Sequence, residues 1–184
     1  PQLGGIALKE AIARSGIDAS EIEEVFMGNA LQAGVGQNPA RQAARAAGIP
    51  DAVGSVTINM VCGSGLKSVM FAAQAIRAGD LEIAAGGGME SMTNAPYLLP
   101  KMRGGARIGH GQVIDHMFLD GLEDAYDKGR LMGTFAEDCA EAFQFTREAQ
   151  DEYAIGSLNN ALEAQRSGAF DGEITPMTLT TRNG

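Results

Sequence analysis

Short stretches of strand character alternate with helix-patterned segments along the first half of this chain, and glycines stand at the junctions. The clearest unit runs from Val53 to Ile58, a β-branched stretch. It passes through Cys62-Gly63-Ser64-Gly65 into Leu66, Val69, Met70, Ala73 and Ile76, which share one helical face until Ala78-Gly79. A chain made of strand, tight turn and helix buries its apolar surface only by stacking helices on a sheet, so the fold class is layered α/β. Earlier elements keep the rhythm. Gly4-Gly5 leads into a helix from Ile6 to Arg14, Glu24 to Gly28 reads as a short strand, and Asn38-Pro39 opens a small-residue helix running to Gly48. Ile83-Ala84-Ala85 is a further buried strand, ended by Gly86-Gly87-Gly88. Because the pattern opens on a helix, the first strand of such a unit is read as missing.

The texture changes after Met92. Pro96, Pro100 and glycines at 104, 105, 109, 111 and 121 interrupt regular periodicity as far as about Lys128. That stretch reads as an ordered but irregular insertion. Thr134-Phe135-Ala136-Glu137 has a capping-box pattern, and Thr146 is placed to cap a long amphipathic helix ending near Ser167-Gly168. The expected organisation is a core lobe over residues 1–92 and an inserted helical lobe over residues 93–184.

Composition removes several function classes. With 45% hydrophobic residues the chain can build a core. A formal net charge of −9 repels polyanions, which argues against general binding to nucleic acid or anionic lipid. No apolar run approaches the roughly 20 residues that span a bilayer, and residues 1–10 lack a signal peptide's basic and apolar regions. The default compartment is therefore the cytoplasm, or an organelle matrix. Two cysteines, Cys62 and Cys139, match no metal or disulfide spacing.

Cys62 falls between a strand and a helix, in a turn whose glycines allow a sharp bend and close approach of a ligand. Backbone N–H groups at the helix start, with the positive end of its dipole, favour negative charge on sulfur and can hydrogen-bond a developing oxyanion. On position alone, a nucleophile and a small buried hydrophobe are both open readings of Cys62.

The whole segment Asn59-Met60-Val61-Cys62-Gly63-Ser64-Gly65-Leu66-Lys67 resembles the nucleophile motif of the thiolases. Gly36-Gln37-Asn38-Pro39-Ala40-Arg41-Gln42 is similar to that family's G-Q-N-P-A-R-Q helix, and Gly87-Gly88-Met89-Glu90-Ser91-Met92 to its G-G-M-E-S-M turn. Asp120-Gly121-Leu122, Met132-Gly133 with Ala136-Glu137, and Arg147-Glu148 with Gln150-Asp151 follow in the order seen in the thiolase loop domain.

The resemblance implies a five-layered αβαβα fold of two similar lobes, of which this sequence holds the first lobe and part of the inserted loop domain. It implies acyl transfer from coenzyme A thioesters through an acyl-cysteine at Cys62, as acetyl-CoA C-acetyltransferase or the reverse thiolysis in fatty acid metabolism. A thiolate suits both halves because it is nucleophile and leaving group at once. No cofactor or metal beyond the coenzyme A thioesters is implied, and the full-length protein is expected to be a homodimer or homotetramer.

Leu122 and Met132 match positions that contact the pantetheine arm, with ordinary packing as the alternative, and Ile108 matches the hydrophobic residue lining the acyl pocket across a dimer interface. Lys101, Arg103, Arg107 and His110 form a basic run that reads as a solvated loop or subunit contact, with attraction of coenzyme A phosphates as the alternative. Family members also use a histidine from a G-H-P motif and a second cysteine from C-x-G-G-G, and neither motif occurs here. Cys139 is expected to be a packed structural thiol, and His110 and His116 to face solvent or an interface. Leu131 stands where many short-chain thiolases carry a histidine, which leaves acyl length open. A noncatalytic assembly or acyl-CoA-binding module of the same fold is the competing reading, with a 3-ketoacyl synthase a distant third.

Overall fold

The computed structural model describes residues 1–179. Two compact units divide the chain, Pro1–Ala125 and Tyr126–Gly184. In the first, strands β1 (Glu24–Gly28), β2 (Gly54–Ile58) and β3 (Ala84–Gly88) form a parallel sheet in the order β2-β1-β3. Gly28 pairs with Ile58 on one side and Gly88 on the other, so the three carboxyl ends come level.

Successive side chains of β1 point to opposite faces, as the pleat demands. Val25 and Met27 pack with Leu8 of helix α1 (Gln2–Ser15) and with Ala40, Ala43 and Ala44 of helix α2 (Pro39–Ala46). Phe26 packs on the other face against Ala72 of helix α3 (Ser64–Ala78). A sheet covered by helices on both sides explains why β1 is buried from Val25 to Gly28. Asn38 starts α2 by accepting the Arg41 N–H at 3.2 Å, with Pro39 in the first turn.

Three elements depart from the sequence reading. Helix α1 begins at Gln2, so Gly4 and Gly5 are buried contact points within it and not a lead-in. Strand β3 runs through Gly86 to Gly88 where a stop was expected. A Cβ on Gly86 would lie 3.1 Å from the Cα of Val69, so these glycines let α3 sit directly on the strand. The same approach explains the third departure. The face of α3 turned inward carries Ser64, Ser68 and Ala72, while Leu66, Val69, Met70 and Ile76 are exposed. At so short a separation only small side chains fit between helix and sheet, and the larger apolar residues are displaced outward.

Residues after Met92 are irregular, as expected. They form a two-stranded antiparallel pair, β4 (Tyr97–Leu98) with β5 (Ile114–Asp115), followed by a π-helical turn at Phe118–Leu122. The second unit carries helices α4 (Met132–Ala142) and α5 (Arg147–Arg166). Thr146 caps α5 through the Ala149 N–H, and the helix ends at Ser167, as read from sequence. Helix α4 instead begins two residues before Thr134, which therefore lies inside its first turn, where the hydroxyl donates to the Leu131 carbonyl at 2.8 Å and accepts Arg130 Nε at 3.1 Å.

Candidate active site

The turn between β2 and α3 is held by its own polar groups. Asn59 Oδ1 accepts the Val61 N–H at 2.9 Å, Ser64 Oγ accepts the Met60 N–H at 2.8 Å and donates to the Val61 carbonyl at 2.5 Å. Val61 is forced to a φ of 49°, a left-handed conformation that a β-branched residue adopts only under strain of about 1–3 kcal/mol. The bend presents Cys62, which is exposed, one residue before the Gly63 N-cap of α3. Close approach again makes this possible, since a Cβ on Gly28 would lie 2.4 Å from the carbonyl carbon of Ser64.

Cys62 opens into a cavity of about 400 Å³ at the carboxyl ends of the strands, where layered α/β sheets place their ligands. Gly28, Ala30 and Leu31 line it from the segment after β1, and Gly88, Met89, Glu90 and Met92 from that after β3. Val61, Cys62, Ser64 and Gly65 contribute the turn, and Met117, Gly121 and Leu122 close it from the π-turn. The walls are mainly apolar, as suits an acyl group. The Gly63 and Ser64 N–H groups are taken by the Met60 and Val61 carbonyls at 3.1 Å, so the donors that the first turn of α3 leaves for an oxyanion are those of Gly65 and Leu66.

Glu90 stitches two of these segments together. Its carboxylate accepts Asn29 Nδ2 at 2.8 Å, the Ala30 N–H at 2.9 Å and the Leu31 N–H at 3.0 Å. Asn29 also donates to the Met89 carbonyl at 3.1 Å. Glu90 is thus a tie between the ends of β1 and β3, a role that its place in Gly87–Met92 hints at only once the strands are known to be neighbours.

The structure brings Leu122 to the same cavity as Cys62. Ile108 is 96% exposed and does not line it. Met132 begins α4 in the second unit and is exposed. Lys101, Arg103, Arg107 and His110 are all exposed, on the connection between β4 and β5.

Two expectations are corrected. Cys139 is exposed, not packed, because α4 buries none of its residues within the described part. His116 is 4% exposed, not a surface residue: Nε2 accepts the Ala33 N–H at 3.2 Å and Nδ1 donates to Asp120 Oδ2 at 2.6 Å. Its partner four residues on, across one turn, was the signal for this in the sequence.

A family model for the thiolase N-terminal domain matches residues 1–184. The chain belongs to the thiolase family. Acetyl-CoA acetyltransferase of Cupriavidus necator is 51% identical to it over 184 residues, all of this chain and 47% of that thiolase. The Escherichia coli K12 acetyl-CoA acetyltransferase is 51% identical over 181 residues, 98% of this chain and 46% of its own length. Among solved structures, the Acat5 thiolase from Ascaris suum in complex with coenzyme A superimposes with a TM-score of 0.90 at 44% identity, covering 95% of this chain and 45% of that one. The chain therefore spans about half the length of the curated thiolases it matches, and its fold is that of the thiolase N-terminal lobe.

Proposed function

We propose that this chain is the nucleophile-bearing part of an acetyl-CoA C-acetyltransferase, in which Cys62 accepts an acetyl group from acetyl-CoA and passes it to a second acetyl-CoA, or works in reverse on acetoacetyl-CoA. The observation that carries the reading is the position of Cys62: on a strained bend, beside a helix N-terminus, at the mouth of an apolar cavity. Cys62 sulfur attacks the thioester carbonyl, first-turn N–H groups of α3 receive the oxyanion, and coenzyme A thiolate leaves. Leu122 lies where it can touch the acyl or pantetheine portion. Met132 and Ile108 are assigned to the same ligand by resemblance, Ile108 across a subunit interface. The loop-domain insertion is taken to run over residues 93–184 from a lobe of residues 1–92, with a homodimer or homotetramer as the assembly, the cytoplasm as the setting and fatty acid metabolism as the context.

Among the described residues neither a histidine nor a second cysteine lines the cavity, so none of them stands beside Cys62 to remove a proton from the second acetyl-CoA. That favours acylation without condensation, because groups acting as a unit lose most of their effect when one is removed. Incubation with acetyl-CoA followed by intact-mass analysis is expected to show one added acetyl group, lost in Cys62→Ala, with no steady release of acetoacetyl-CoA. Binding of coenzyme A with no adduct would favour the noncatalytic module. Steady turnover abolished by Cys62→Ala would show that the remaining catalytic groups have been misplaced.

A further inference from the structure

Whereas Cys62, Leu122 and the glycine-rich turns belong to the transfer reaction just proposed, His116 does not touch the cavity, yet both of its ring nitrogens are committed. A backbone N–H can only donate, so Nε2, which faces the Ala33 N–H, is the unprotonated nitrogen. The single ring proton then sits on Nδ1 and is donated to Asp120 Oδ2. This neutral ring forms a clasp between the segment after β1, which supplies Leu31 to the cavity, and the π-turn, which supplies Gly121 and Leu122. Met117, the residue next to the clasp, is a further wall. The two segments are already in close packing, since a Cβ on Gly121 would come within 3.1 Å of Leu31 Cδ2. The π-turn is a single turn of a rare helix type, closed by the Glu123 N–H to the Phe118 carbonyl at 2.7 Å, and the Met117 N–H just before it is held by Asp115 Oδ1 at 2.8 Å.

We infer that His116 is a positioning residue that sets the size of acyl group the Cys62 cavity admits, by clasping the π-turn to the Ala33 segment in the Nδ1–H tautomer. The inference rests on the acyl-transfer reading for the identity of the occupant, but its test does not. Released from Asp120 and Ala33, the turn no longer holds Met117 and Leu122 at a fixed distance from the thiol, and a longer chain gains entry while a small reagent gains nothing.

The test is alkylation of the 184-residue chain with iodoacetamide and with N-hexyl-iodoacetamide, reading the rate at Cys62 against that at exposed Cys139 of the same molecule by peptide mapping. The hexyl-to-unsubstituted ratio at Cys62 is expected to rise about tenfold in His116→Ala and Asp120→Ala, the scale on which apolar pockets discriminate small differences in length. Asp120→Asn keeps an oxygen acceptor for Nδ1–H and is expected to retain the original ratio, which a loss of general stability would not restore. In the unsubstituted protein, ¹⁵N NMR is expected to find the Nδ1–H tautomer of His116. An Nε2–H or doubly protonated ring there, or an unchanged ratio in a folded Asp120→Ala, overturns the inference. If His116→Ala does not fold, the Asp120→Ala and Asp120→Asn pair decides. Should acetyl-CoA fail to acetylate Cys62, the acyl-transfer reading falls while the alkylation ratio still tests the clasp.

Discussion

The Glu23 carboxylate accepts the backbone N–H of Ile83 at 3.0 Å and of Glu82 at 2.5 Å, and these bonds, the one from Ile83 foremost, hold it below the ordinary carboxylate value. A folded-state value below the unfolded one means that the unfolded chain binds more protons in acid. The stability Glu23 contributes is therefore present above the ordinary carboxylate range and is lost as pH falls through the lowered folded value. Thermal melts of Glu23→Gln are expected to fall below the unsubstituted protein at neutral pH and to converge with it in acid; an offset that persists unchanged in acid would rule out the carboxylate charge as the cause. Cys62 offers a second measurement, since it alone of the two exposed thiols stands at a helix N-terminus. Brief iodoacetamide treatment of the folded protein is expected to label Cys62 before Cys139, and faster labelling of Cys139 would remove the main support for the nucleophile. At this scale the sequence was readable where a residue's placement depends on immediate neighbours, as for Cys62 between β2 and α3. It was misleading where the role depends on distant ones: Asp120 lies one turn from His116, but Ala33, which binds the other ring nitrogen, is far away in the chain.

Elements were legible in proportion to how local their signals are. Strand β1 and the caps of α2 and α5 follow from adjacent residues, and the structure has them where the pattern put them. The glycine-bearing elements misled because a glycine run reads as a stop, whereas in β3 it is a surface on which α3 rests. The same cause hid which side of α3 is inside, because periodicity ranks residues by hydrophobicity and this interface ranks them by size. Gly28→Ala tests that account directly. With a backbone carbon 2.4 Å from the new methyl group, the substitution must push α3 off the sheet, at a cost of about 1–3 kcal/mol or more. Denaturant melts are expected to show that loss together with slower labelling of Cys62, since the helix that positions the thiol has moved. Unaltered stability would mean that α3 is less closely seated than described.

For the whole molecule, motif order carried the family and the fold, while the division into units after Ala125 reflects packing by residues 93–125 that no motif announces. The outward face of α3 remains as exposed apolar surface, with Leu66 at 69% exposure beside Val69, Met70 and Ile76. Contiguous patches of this kind mark contact surfaces, so the isolated chain is expected to bind ANS and to self-associate in light scattering. A monomer silent to the dye would show that the face is covered in solution. The strand order has a consequence in time as well as in space. Of the three described strands β1 comes first in the chain and stands in the middle of the sheet, so one of its edges is closed by β2 across a helix-bearing crossover, but the other waits for β3, beyond both β2 and α3. Pairing at such a separation is slow, and a chain emerging from the ribosome holds an open, apolar strand edge until Ala84–Gly88 is released. Synthesis of the stretch between β1 and β3 is therefore an interval in which this edge is open to aggregation, until the glycines of β3 exist to close it.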